Sequence, residues 1–423
     1  MITRLEKQDL AEQITMAYED LESLLMRNII RHIKAYDQPI DSDDWLLEMM
    51  GQLGRLNQEN LKLIARNSVQ PKAIERMLRS AADLALSRVE PGLDELEREG
   101  IIKKAVPAKR SKHLENAIQT VFAQAQDTMN LCNTNMLYMA QESYKELARN
   151  VVQKAKEIEQ KQEFLDTLGR HAVAEAAGAE SRQQALESAI REFNEKGIPA
   201  FVDKKGRKWS PEAYVGMTLR ATAGSVSTEA MMARMNDRGL SLIQISTHPG
   251  ARPKCAKDQG KIFDRNNGRG YTTDTNGKKI PFYPWRESSY GEPDGILGIN
   301  CGHHGVPFIP GISRERYFPT EDFKENDKLY RQMQTQRSFE REIRKHKREC
   351  MLLDEAGQEE AFQRAAVKLK AKEKQLDHYM ETHPKLIRRR DREKVIGYSR
   401  GTSARAIAAN KKHEKDSEKE PTP

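Results

Sequence analysis

From Ser246 to Gly311 glycine and proline recur every few residues. No long helix can run through such a stretch, because proline removes a backbone donor and glycine weakens helices. The flanking regions have the opposite texture. Leu10, Ile14, Leu21, Leu25, Ile29 and Ile33 return at steps of four or seven, the spacing of one helix face. Turn chemistry at Asp37-Gln38-Pro39, Gln70-Pro71, Glu90-Pro91-Gly92 and Val106-Pro107 cuts the first two hundred residues into successive helices. A predominantly helical α+β chain follows. It comprises a helical region over 1–200, a compact loop-rich α+β domain over 201–318, a charged helical tail over 319–400 and a disordered polar tail over 401–423.

Within the central domain Phe201-Val202 and Lys208-Trp209 read as two short strands around a tight turn, followed by a helix from Ser210-Pro211 to about Gly239. Tyr214 and Met217 are expected in its core face. Leu242–Ser246 reads as a strand that delivers His248 into a loop. Thr275-Asn276-Gly277-Lys278 reads as a hairpin with a type I′ turn. After Pro319, Leu329, Met333, Phe339 and Ile343 form a narrow apolar stripe for a partner helix or a helical hairpin, with a bend at Asp354–Gly357.

At 423 residues the chain exceeds one small core. It is 37% hydrophobic and 32% charged, with a mean hydropathy of -0.79, so much of it must lie on exposed helix faces. The N-terminus lacks the apolar core of a signal peptide, and no window approaches a membrane span, so no membrane partner is expected. Cys132, Cys255, Cys301 and Cys350 are too scattered for a secreted disulfide framework; Cys132 fits a helix stripe as a small buried hydrophobe.

The turn-rich segment also concentrates chemistry. Cys255, Cys301 and a histidine chosen from His248, His303 and His304 supply the donors zinc prefers, and a set of His248, Cys255, Cys301 and His303 would close a structural site. The spacing contains no C-x₂-C pair. On the plain alternative the histidines bond loop carbonyls, the thiols are core residues, and Arg252 is held by a carboxylate. A nuclease would take His303 or His304 as base beside a metal on His248, Asp294 and Asn300, yet no tight acidic cluster accompanies them. Neither cysteine carries a protease signature, and no phosphate-binding loop is present.

Ser246-Thr247-His248, Gly250-Ala251-Arg252-Pro253, Gln259-Gly260-Lys261-Ile262-Phe263, Gly298-Ile299-Asn300-Cys301, His303 and Pro307-Phe308-Ile309-Pro310-Gly311 together resemble the signature of the phage minor capsid protein 2 family. That family is related to the head-morphogenesis proteins encoded beside the portal gene. Trp209, Tyr214, Met217 and Arg220 upstream, and Gln336-Arg337, Glu340-Arg341 and Ile343-Arg344 downstream, extend the resemblance. Two positions depart from the pattern: Cys255 stands where histidine is commoner, and Gly302-His303 follows Asn-Cys in place of Arg-His. The resemblance implies a non-enzymatic virion protein of a tailed phage or prophage, assembled in the host cytoplasm. Its expected partners are the portal or the major capsid protein, with non-specific DNA contact during packaging or ejection.

Residues 331–400 hold 19 Lys or Arg against 12 Asp or Glu, an excess of 7 out of a formal net charge of +8. Interleaved acids make Arg337–Arg348 a salt-bridged face. Arg388, Arg389 and Arg390, three adjacent cations, are the better candidates for a phosphate backbone.

Overall fold

Proline at the first helical position and apolar residues at helical spacing account for the best-formed helices. In Pro71–Leu86, Ile74, Leu78, Ala81, Ala82 and Ala85 are buried on one face. The computed structural model describes residues 2, 4–34, 42–167, 174–318, 322–395 and 397–417. Among these, the helices in chain order are α1 (Arg4–Lys34), α2 (Ser42–Gly51), α3 (Leu53–Asn67), α4 (Pro71–Leu86), α5 (Glu90–Arg98), α6 (Lys112–Thr167), α7 (Ala174–Lys196), α8 (Pro211–Asp237), α9 (Pro253–Ala256), α10 (Phe323–Glu355), α11 (Glu359–Thr382) and α12 (Arg400–Ser417). The strands are β1 (Phe201–Val202), β2 (Lys208–Trp209), β3 (Leu242–Ile245), β4 (Ile262–Asp264), β5 (Gly270–Thr273), β6 (Lys279–Pro284) and β7 (Gly305–Pro307). The chain is 67% helical, with a small sheet, so the α+β class holds. No described helix is long and apolar enough to cross a membrane. The break at Asp37–Pro39 lies outside the described residues.

Packing follows two compact units that are not consecutive in sequence. One comprises Met1–Thr15, Val69–Leu131 and Ala213–Gln334; the other comprises Met16–Ser68, Cys132–Glu212 and Thr335–Pro423.

The first unit holds the larger sheet, ordered β5-β6-β4-β3-β7. All pairs are antiparallel except β4 with β6. Leu242, Ile243, Gln244 and Ile245 of β3 are all buried, because this strand is covered on both faces. Leu242, Ile262, Ile280 and Phe308 form the sheet's core, with Phe282 against them. Phe263 meets Tyr283 and Trp285 with ring centroids 6.2 and 5.8 Å apart, whereas Tyr271 is exposed. The hairpin between β5 and β6 differs from the expected type I′ turn. Gly277 has φ +75 while Asn276 has no positive φ, and Asp274 N–H donates to the Lys278 carbonyl at 3.0 Å. The Asp274 carboxylate accepts from the Asn276 and Lys278 amides at 2.9 and 2.8 Å. This aspartate cap favours a three-residue loop over the two-residue turn.

In α8 the buried row is Val215, Leu219, Ala223, Val226 and Ala230, while Tyr214 and Met217 are only half-buried. Farther along α8, Arg234 and Arg238 are almost wholly buried. Arg234 is bidentate on Glu90 at 2.7 and 3.1 Å and reaches Asp237 at 2.7 Å. Arg238 shares Glu90 and pairs with Asp94 and Glu97. The guanidinium neighbours hold the Glu90 carboxyl below its ordinary range, against the opposing effect of burial.

The second unit contains the β1–β2 hairpin and the charged helices. Asp203 closes the hairpin by accepting from the Lys205 and Arg207 amides, each at 2.9 Å. Gly357, at φ +70, ends α10 at the bend expected there, and the Gln358 amide reaches back to the Leu353 carbonyl at 2.9 Å. Phe339 packs on Tyr379 at 5.4 Å and Ile343 is fully buried, which favours the hairpin over a stripe left for a partner helix.

The tail from 401 onward is not without structure, because α12 runs to Ser417. Ala404, Ala406, Ala408 and Ala409 favour helix, Ala406 is buried, and Arg405 pairs with Asp354 and Glu359. Residues 418–423 lie outside the described residues.

Glu19, Glu22, Glu212, Arg344 and Arg348 gather in this unit around a cavity of about 20 Å³. Arg348 reaches Glu22 at 3.0 Å and Arg344 reaches Glu212 at 2.8 Å. Burial, with the Glu212 charge beside it, pushes the Glu19 carboxyl up to about 9.

Two outcomes are expected. Glu90→Ala leaves two buried guanidiniums short of counter-charge and should cost about 3–5 kcal/mol in denaturant unfolding. Glu19 takes up a proton on folding, since its folded value lies above the unfolded 4.5. Its contribution is therefore fully present below that value and is lost as pH rises toward about 9. Thermal unfolding of Glu19→Gln should be less pH-dependent across this window than that of the parent, and its midpoint should be higher at the alkaline end.

Candidate metal centre

β3 ends at Ile245, and the chain then turns through 246–252 into α9, a single turn started by Pro253. Gly250 sits in the left-handed region at φ +64, where a Cβ would come within 2.7 Å of Met333 Sδ and 3.3 Å of Leu329 Cγ. The apolar side chains at the start of α10 therefore close over this loop. Asn326, buried beside them, accepts from the Ala251 amide at 2.8 Å and donates to the Ala251 carbonyl at 2.7 Å.

The facing loop, 291–304, is held by its own turns and by long cations. Arg252 donates to the carbonyls of Asp294 and Ile299 at 2.7 and 3.0 Å, so carbonyls take the place of the carboxylate expected for it. Lys7 Nζ donates to the carbonyls of Cys301 and His303 at 3.3 and 3.2 Å. Asn300 adopts φ 57, a left-handed conformation that asparagine tolerates, one residue before Cys301. Gly260 has φ +80 and donates its amide to the Ile245 carbonyl at 3.0 Å. Pro310 is exposed, and the Gly311 amide bonds Thr273 O at 2.8 Å.

These supports bring Cys255, Cys301 and His303 together, with their ligand atoms all within 4.8 Å of one another. The two sulfurs are 3.9 Å apart, and both thiols are free. Cys301 Sγ lies 3.3 Å from His303 Nδ1 and accepts the Leu297 amide at 3.2 Å. Gln259 Oε1 accepts from the His248 amide at 3.2 Å and faces His303 Nε2 at 3.1 Å. An amide oxygen only accepts, so His303 carries its proton on Nε2 and turns the Nδ1 lone pair toward the sulfurs. The Cys301 thiol is pulled down, first by the hydrogen bond from Cys255, against the opposing effect of burial. Cys255 is pushed up by the same bond and by burial.

His248 departs from the expected ligand set. Its ring stacks on His303 with centroids 4.2 Å apart, and its Nδ1 donates to the Pro249 carbonyl at 3.0 Å. The groups of the nuclease arrangement also point apart. His304 Nε2 faces Tyr317 Oη at 3.2 Å, and burial lowers this imidazole to about 4. The Asp294 carboxylate pairs with Lys254 at 2.8 Å, and Asn300 is exposed.

In the arginine triplet, Arg388 is held by Glu393 and Asp377 and Arg389 by Asp391, leaving Arg390 as the exposed member. Asp377, eleven residues before Arg388, is a partner that local spacing does not reveal. Asn326 and Lys7 were also missed. Each acts on a segment far off in sequence, and neither stands in a motif.

Replacing Asn326 with leucine should leave the Ala251 amide and carbonyl without partners, costing about 1–3 kcal/mol for each group. Urea unfolding followed by circular dichroism is the check.

The sequence matches the family described as phage minor capsid protein 2 over residues 4–381. A structural protein of Lactococcus phage LL-H is 30% identical over 189 residues, covering 44% of this chain and 48% of that protein. A structural protein of Lactococcus phage mv4 is 28% identical over 118 residues, covering 27% of this chain and 94% of that protein. The chain thus spans about half the length of the first of these relatives. No solved structure matches. A match across most of the chain, bracketing the loops that surround Cys301, makes this protein a member of the phage minor capsid protein 2 family.

Proposed function

We propose that the protein is a structural component of the phage head, present in few copies and docked on the portal or the inner capsid shell while heads assemble in the host cytoplasm. The family match over residues 4–381 carries this reading, and the two relatives described as structural proteins support it. The work is recognition and scaffolding, with no catalytic step. Exposed apolar side chains on helices of the second unit, Leu47, Leu61 and Tyr138, offer contact area for a partner.

Contact with packaged DNA is the finer part of the reading. It falls to Arg390, because the carboxylates that hold Arg388 and Arg389 would have to be displaced first. The same restraint applies along α10, where Lys345 pairs with Glu195, Arg348 with Glu22 and Arg344 with Glu212. The alternative is a virion-borne nuclease or other hydrolase; the groups expected for the nuclease are turned to other partners, with His304 facing Tyr317 and Asp294 paired with Lys254.

Quantitative mass spectrometry of purified heads, combined with lysine cross-linking, tests the assignment. The expected result is co-purification far below the major capsid protein in amount, with cross-links to portal or major capsid protein. Absence from both heads and mature particles would sink it.

A further inference from the structure

We propose that Cys255, Cys301 and His303 bind one zinc ion that staples α9 to the 291–304 loop. This role is independent of where the protein docks in the head. Zinc binds thiolates at about 2.3 Å and imidazole at about 2.0–2.1 Å. On a tetrahedral ion those lengths place two sulfurs about 3.8 Å apart and a sulfur and a nitrogen about 3.6 Å apart. The observed separations are 3.9 Å for the sulfurs and 3.3 Å for Cys301 Sγ to His303 Nδ1. A disulfide would need about 2.05 Å, so the sulfurs stand at the spacing of two ligands of one ion.

The surroundings are also those of a ligand set. Cys255 and His303 are each 1% exposed and Cys301 is 8% exposed, so the donors are shielded from solvent. Gln259 Oε1 fixes the His303 tautomer that frees Nδ1. A second partner on the distal nitrogen is the usual companion of a metal-bound histidine. The Leu297 amide directed at Cys301 Sγ stabilises the sulfur as thiolate. Two thiolates and one imidazole are a soft-to-borderline set that selects zinc over magnesium or calcium. His248, stacked face to face on His303, stands outside the set.

The benefit is one of folding. The ligands come from two turn-rich segments 46 residues apart, and an ion joining them converts binding free energy into stability of a loop region with little regular structure.

The test uses the full-length, untagged protein. Native mass spectrometry should show one zinc per chain. Replacement by cobalt should give thiolate-to-cobalt charge transfer and the visible absorption of a tetrahedral ion. Cys255→Ser, Cys301→Ser and His303→Ala should lose the metal, whereas Cys132→Ser, whose sulfur lies elsewhere, should keep it. Gln259→Ala should weaken zinc binding about 10–100-fold in competition with a chelating dye. Gln259→Glu, which retains an acceptor, should restore it. Because the parent protein itself can be read, a misfolded variant does not decide the matter. Metal-free parent protein that takes up no zinc, or a cobalt form without thiolate charge transfer, overturns the proposal.

Discussion

A loop-rich segment inside a protein has to find partners for backbone groups that helices and sheets would otherwise satisfy, and this requirement organises the first unit. Between Ser246 and Tyr317 the solution is a set of long polar side chains used as fasteners. Gln244 donates to the carbonyls of Gly260 and Tyr317 and accepts from the Arg316 amide. Asp258 takes the amide and hydroxyl of Ser289, whose hydroxyl oxygen in turn accepts from the Ile296 amide. Arg252, Lys7 and Asn326 complete the set. Two of the residues by which the chain resembles its family, Arg252 and Gln259, have direct parts in this fastening.

Charge is used in the same inward-facing way. The basic excess at residues 331–400 suggested an electrostatic footprint, yet many of its cations meet acids of their own unit. A low mean hydropathy and a helical chain are reconciled by these pairs, because long helices can pack through ion pairs at their margins while small apolar residues fill the narrow core between them. Exposed pairs contribute little individually. The buried ones at Arg234 and Arg238 specify how α5 meets α8, since an unpaired guanidinium at either place would be strongly unfavourable.

Legibility in the sequence followed the range of the interaction responsible. Helices set by local periodicity, strand β3, the β1–β2 hairpin and the bend at Gly357 could all be read from neighbouring residues. The turn at Asn276-Gly277 could be placed but not typed, because the Asp274 cap competes with the intrinsic preference of Asn-Gly. The helix at 400–417 was hidden by its polarity; its anchors, Asp354 and Glu359, lie some fifty residues back. Of the expected metal ligands, three converge. The fourth, His248, carries the right chemistry but stacks by its face, and ring orientation leaves no trace in spacing.

The cysteine-histidine cluster and the polar fasteners address one difficulty from two sides. Hydrogen bonds fix where each loop runs, but each is one that water can contest during folding. A metal link between Cys255 and the Cys301–His303 turn would instead add the binding free energy of an ion whose site only the folded chain assembles. Unlike a disulfide, a metal link can form in a reducing compartment.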